Sequence, residues 1–177
     1  MSALHLVRHG RPVLDPAVPA HAWELDPAGF DDVWAVRDRL PVGATWFCSP
    51  EPKAIQTAQL LTDAEVGVVD DLREQGRSGW VDDLAGLVRD AFARPDLPAY
   101  DGWESVTALR ARIVRTVATI WRLHGSADVV LVGHGTAWTA LLSALTGDEP
   151  DLERLRSMPM PALITLPGHL AAASLSE

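Results

Sequence analysis

Residues 4–10 read Leu4-His5-Leu6-Val7-Arg8-His9-Gly10, a short apolar run that ends in a glycine. That pattern predicts a buried strand closing in a tight turn, with Arg8 and His9 at its carboxyl end. In open α/β sheets ligands bind in the crevice beyond the strand tips. An arginine offers a fixed cation with a planar fork of donors suited to phosphate, and a histidine is a nucleophile largely uncharged near neutral pH. The pair points to phosphoryl transfer. Arg8-His9-Gly10 alone is short enough to arise by chance, so its weight comes from three further pieces downstream.

Working outward, Pro12, Pro16 and Pro19 mark residues 11–22 as a loop over the strand ends. Asp26 predicts a helix cap with Pro27 at the first helical position. Phe30, Val33, Trp34, Arg37 and Leu40 follow at helical spacing, as expected of a helix packed on the sheet. Residues 45–48 predict a second strand, and Pro52 opens a helix with Ala54, Ile55, Ala58 and Leu61 on its inner face. Lys53 falls in the first turn of that helix, where free N–H groups and the dipole favour an anion, within reach of the Arg8 pocket.

Residues 66–69 predict a third strand. Residues 75–102 are irregular and glycine-rich, with one helical piece around 82–92, and read as a lid-like insertion. Its Arg77, Trp80, Arg89, Arg94 and Tyr100 are candidates to meet the non-phosphate part of a substrate. Residues 103–124 form the most regular helix, with Val106, Leu109, Ile113, Val117 and Ile120 as its apolar stripe and Arg110, Arg112 and Arg115 as its solvated face. Residues 128–132 predict a strand leading to Gly133-His134-Gly135, a second strand tip that presents a histidine. A helix over 136–145, a connection over 147–158 with a short helical piece, and a last strand over 162–166 complete the chain. Strands alternating with helices imply a largely parallel sheet covered on both faces.

Composition bounds the partners. A chain of 177 residues with 47% hydrophobic content is expected to form one domain with a substantial core. The net charge of −9 disfavours binding to nucleic acid or to an anionic membrane surface, so an anionic substrate would need a local basic pocket. Cys48 is the only cysteine, read as a buried strand residue; no intrachain disulfide can form, and a cytoplasmic location is expected. A strand begins almost at once, leaving no pattern of a signal peptide, and no apolar stretch has the length of a membrane helix.

Four motifs in fixed order, Leu6-Val7-Arg8-His9-Gly10, Ser49-Pro50-x-x-Lys53-Ala54-x-Gln56-Thr57-Ala58, Leu72-Arg73-Glu74 and Val132-Gly133-His134-Gly135, resemble the histidine phosphatase superfamily, also called the phosphoglycerate mutase-like family. The resemblance covers nearly the whole chain. It implies a three-layer αβα sandwich with a mostly parallel sheet, and a reaction through a phosphohistidine. His9 would be the nucleophile. Arg8, His134 and Lys53, with helix-terminal N–H groups, would clamp the phosphoryl oxygens, and Gly10, Arg11, Ser49 and Gly135 would complete the substrate contacts. Glu74 matches the family's acid, which would protonate the leaving oxygen and then activate water; Asp101 and Glu104 are nearby alternatives. No metal or other cofactor is called for.

Two departures bear on activity. Lys53 stands where the family has arginine, and a point cation cannot make the bidentate contact, so lowered phosphate affinity or turnover is expected. Arg11-Pro12 after the first motif, and the short chain, disfavour a mutase. The implied function is hydrolysis of a small phosphomonoester. The alternatives are a phosphohistidine-protein phosphatase, a phosphoglycerate mutase or, from another class, a non-catalytic phosphate-binding regulatory module, which Lys53 keeps open. His5, His21, His124 and His169 carry no functional signal, and nothing in the sequence specifies an oligomeric state.

Overall fold

Leu4 and Leu6 point to one side of their strand and Val7 to the other, the period-two alternation of a strand buried on both faces. In the computed structural model, which describes residues 2–175, this strand is β1, Ala3–Arg8. It pairs in parallel with β4, Val129–Gly133, whose five residues are all buried. Next to β4 lies β2, Thr45–Cys48, and then β3, Val66–Val68. The last strand, β5, Ala162–Pro167, runs antiparallel on the other edge of β1, giving the order β3-β2-β4-β1-β5.

Helices cover both faces. Helix α1, Phe30–Arg37, and α2, Pro52–Leu61, pack with Val7, Trp46, Val130 and Val132. Residues 75–102 carry α3, Leu84–Ala93. On the opposite face α4, Val106–His124, α5, Gly135–Thr146, and the carboxyl-terminal α7, Gly168–Leu175, enclose Leu4, Leu6, Val129 and Leu131. A short α6, Leu152–Ser157, precedes β5. The αβα sandwich with a mostly parallel sheet is thus the observed fold. Because β1 and β4 are adjacent and parallel, their carboxyl tips meet, and the His9 N–H donates to Gly133 O across them (2.9 Å).

Several local expectations need correction. Asp26 does cap, its side chain accepting from Ala28 N, but the first turn is 3-10 over Pro27–Gly29 before α1 begins. On α1 the buried residues are Val33 and Val36; Trp34 is 52% exposed with the Arg37 guanidinium 5.1 Å over its ring, so the apolar spacing misplaced the inner face. Arg112 is not on a solvated face. It is buried, bonded to Glu104 and to the carbonyls of Asp71, Arg73 and Glu74, where it clamps the segment leaving β3. His169 lies in α7, a helix the apolar pattern did not suggest. Cys48 is buried as expected, and burial pushes its thiol up to about 11.

Candidate active site

The adjoining tips of β1 and β4 place His9 and His134 with ring centroids 5.1 Å apart, edge to face. Both line one large cleft at the carboxyl edge of the sheet, about 1550 Å³ in volume, together with Arg8, Glu51, Lys53, Glu74, Arg77 and Gly135. The Gln56-Thr57 pair explains why the cleft has this shape. Gln56 Oε1 accepts from Leu25 N (2.6 Å) and pins the loop above α2, while Thr57 Oγ1 accepts from Gly10 N (3.0 Å) and holds the turn that follows β1.

His9 is 6% exposed, and its Nδ1 lies 2.7 Å from Gly10 O. A carbonyl can only accept, so Nδ1 carries the hydrogen and Nε2 keeps the lone pair. Burial, reinforced by the nearby Lys53 and Arg8 cations, pushes the imidazole down to about 3 against the pull of the Gly10 carbonyl. His9 is therefore a neutral ring with a defined tautomer, as a nucleophile requires.

His134 is fully buried, and burial, followed by His9 and the cations of Lys53, Arg77 and Arg8, holds it well below the ordinary histidine range. Its Nε2 lies 2.7 Å from Ser49 Oγ, and that hydroxyl accepts from Glu51 N (3.3 Å), leaving its own hydrogen for the ring. Nδ1 of His134 has no partner, and neither does Nε of Arg8. Buried polar atoms are nearly always paired, so two orphans in one cleft mark a place for an anion. Elsewhere on the Arg8 fork, Nη1 donates to Met158 O (2.5 Å). Its plane lies against Gly135, where an added Cβ would come within 3.2 Å of Arg8 Nε.

The other expected residues are distributed unevenly. Gly10 and Ser49 act from behind the cleft wall, while Arg11 is exposed at its rim and paired with Asp26 (3.1 Å). Lys53 is buried within the cleft, but its ammonium is bound to Glu51 Oε2 and donates to Ala20 O (2.7 Å). Its backbone N–H donates to Trp23 O. Glu74 lies at the start of α5, with Oε1 accepting from Gln75 N and Ala137 N (2.9 and 3.0 Å) and Oε2 from Thr136 N (3.2 Å). A carboxylate thus occupies the first free N–H groups of that helix, where the dipole favours it. Of the alternative acids, Asp101 does not line the cleft. Burial alone would raise Glu104, but the Arg112 hydrogen bond and the Gly76 N–H lower it, so it is held as an ion-pair partner.

Two cleft residues carry more weight than the sequence suggested. Glu51 is buried and is the hub of the floor: it binds Lys53, accepts from Glu74 N (2.8 Å), and stands 3.5 Å from His134 Nε2. With His134 neutral, that last contact is a carboxylate beside an imidazole rather than an ion pair. The signal for Glu51 was an acid immediately before the helix-opening Pro52 and two residues before Lys53. Such a pair does not face itself within a helix, but Glu51 is still in extended backbone at the cap, so its side chain turns back. Arg77, from the segment that follows β3, donates from Nη2 to Thr136 Oγ1 (2.8 Å) and lies 5.1 Å over the Trp103 ring. Burial lowers both Arg8 and Arg77, with Glu74 opposing the shift in each. Of the other lid candidates, Arg89 lines the cleft and Trp80 packs on Trp23, whereas Arg94 and Tyr100 do not reach it.

The model of the histidine phosphatase superfamily, branch 1, matches residues 4–166, spanning all four strand-tip motifs. The chain belongs to the histidine phosphatase superfamily. No curated protein sequence matches it significantly. Solved structures share the histidine phosphatase fold. Bacillus stearothermophilus YhfR is 22% identical, with 93% of this chain and 91% of that chain covered and a TM-score of 0.72. A mycobacterial glucosyl-3-phosphoglycerate phosphatase in complex with VO3 is 26% identical, with coverage of 94% and 93% and a TM-score of 0.70. Phosphoserine phosphatase from Entamoeba histolytica in complex with 3-phosphoglyceric acid is 18% identical, with coverage of 93% and 90% and a TM-score of 0.75. Among the described residues no helix is long and apolar enough to cross a membrane.

Proposed function

We propose that the protein hydrolyses a phosphomonoester through a phosphohistidine on His9. The observation that carries this reading is the His9 geometry: a buried neutral ring whose Nδ1 is committed to Gly10 O, presenting Nε2 beside two donors that lack partners. Structural neighbours named as phosphatases support it.

In the first step the Nε2 lone pair attacks phosphorus, the P–O ester bond breaks, and the leaving oxygen takes a proton delivered by Glu74 through Oε2, which has one N–H partner against two on Oε1. In the second, water attacks phosphorus, the P–N bond returns its electrons to Nε2, and the water proton restores Glu74. Arg8 Nε and His134 Nδ1–H stabilise the charge spread over the equatorial oxygens; one such preorganised donor is commonly worth about 3 kcal/mol. Ser49 fixes the His134 tautomer. With Lys53 held by Glu51 and Ala20 O, Arg77 adds a second guanidinium to the cleft; Gln75 Oε1 and Thr136 Oγ1 hold its Nε and Nη2, so Nη1 is the nitrogen it turns to the phosphoryl group.

The test is phosphate release from a panel of phosphomonoesters in chelator, with alkaline quenching of a radiolabelled reaction to trap a base-stable phosphoryl group. Both signals should fall to background in His9→Ala, and phosphate release that survives this substitution would refute the route. A non-catalytic phosphate-binding module is the second reading, favoured by the one observation that Lys53 is already neutralised by Glu51. It requires phosphate binding without turnover on every panel member.

A further inference from the structure

Beyond the polar floor, the same cleft continues into a wall of a different chemistry. Val13 and Leu14 from the loop after β1, Leu84 and Val88 from α3, and Leu155 and Met160 around α6 all line it. Val13, Leu14 and Leu84 are 49%, 63% and 43% exposed. Exposed apolar side chains scattered singly need no explanation, but here residues from three separate segments converge on one opening. Of the charges at the rim, Arg11 pairs with Asp26 and Arg156 with Glu153, while Arg89 lines the cleft from α3. The whole cleft, about 1550 Å³, exceeds the roughly 300–1000 Å³ of ordinary small-ligand pockets. A phosphoryl group with a few polar atoms attached would leave most of it empty.

We infer that the wall formed by Val13, Leu14, Leu84, Val88, Leu155 and Met160 is the subsite for the organic part of the substrate, and that the substrate is the phosphomonoester of an apolar alcohol, with an extended alkyl or aryl group. This rests on the phosphate-binding floor proposed above. A sugar, an amino acid or a hydroxy acid would bring hydroxyl, ammonium or carboxylate groups against side chains that cannot pair them, an unfavourable burial. An alkyl chain meets the same side chains with gain, about three- to fourfold in affinity for each methylene removed from water. Continuity with the floor settles the orientation: the phosphoryl group lies at His9 and the chain runs outward between the loop and α3.

The experiment is a calorimetric binding series with non-hydrolysable alkylphosphonates from methyl to decyl, run beside phosphate release from the matching alkyl phosphates. Affinity is expected to rise about three- to fourfold per methylene over the first several carbons and then level off. Leu84→Ser and Leu14→Ser, both at solvent-exposed side chains, should flatten the rise and leave methylphosphonate affinity unchanged. Affinity independent of chain length, or tighter binding of 2-amino-3-phosphonopropionate than of the longer alkylphosphonates, overturns the subsite. A length-dependent affinity without phosphate release would support the subsite and sink the hydrolase reading. Equal release and equal affinity at every length would do the reverse.

Discussion

Acidification should destabilise this protein through the buried histidine at the tip of β1. His9 has an ordinary value of 6.5 in the unfolded chain and is pushed down to about 3 in the folded one by burial and the neighbouring cations. Between those values the unfolded state binds a proton that the native state does not, so stability falls as pH falls, by about 1.4 kcal/mol per pH unit. Lowering the pH from 7 to 4 crosses about 2.5 units of that window and costs about 3 kcal/mol from His9 alone. His134 is displaced in the same direction and adds to the loss. Against a total stability on the order of 5–15 kcal/mol, that is a large share. Urea unfolding followed by tryptophan fluorescence at several pH values measures it, with His9→Gln as the control that shares every carboxylate. The variant should lose about 3 kcal/mol less than the wild type on going to pH 4. Equal losses in the two proteins, or a His9 ring that titrates near its ordinary value by NMR, would refute the reasoning.

Two further substitutions test the floor of the cleft. Glu51→Gln removes the partner of a buried ammonium and should destabilise the fold by about 3 kcal/mol. Glu51→Leu combined with Lys53→Met should recover most of that loss in the same unfolding assay, because a buried pair can be replaced by apolar volume. A double variant no more stable than Glu51→Gln would refute this account. Gly135→Ala places a methyl group 2.9 Å from Leu155 Cδ1 and 3.2 Å from Arg8 Nε. It should lower kcat/KM at least about tenfold by displacing the guanidinium, while phosphate release unchanged from the wild type would show that Arg8 does not act from this position.

The two histidine strand tips were legible because each is an apolar run broken by glycine, a local pattern that needs no knowledge of the rest of the chain. The same holds for the stripe of α4, whose five apolar positions are all buried. Charged side chains were less legible. Arg112 and Arg115 look alike in sequence, yet one is buried among carbonyls and the other is 70% exposed, because only the path of the segment after β3 decides which has acceptors to meet. Trp34 was misplaced for a related reason: helical spacing grouped it with Phe30 and Val33, but Val33 and Val36 set the face that meets the sheet.

Amino-acid order by itself therefore specified the alternation of strands and helices, the two strand tips that carry His9 and His134 and, through four motifs, the resemblance to the histidine phosphatase superfamily with the αβα sandwich it implies, whereas the pairing of β1 with β4 is what sets the two rings side by side. Tertiary structure alone decided the electrostatic assignment of the floor. Glu51 neutralises Lys53, Glu74 takes the first N–H groups of α5, and Arg77 arrives from the segment before α3 beside Thr136. The reason is physical: a buried charge takes the state and partner that desolvation leaves available, and those partners come from segments far apart in the chain.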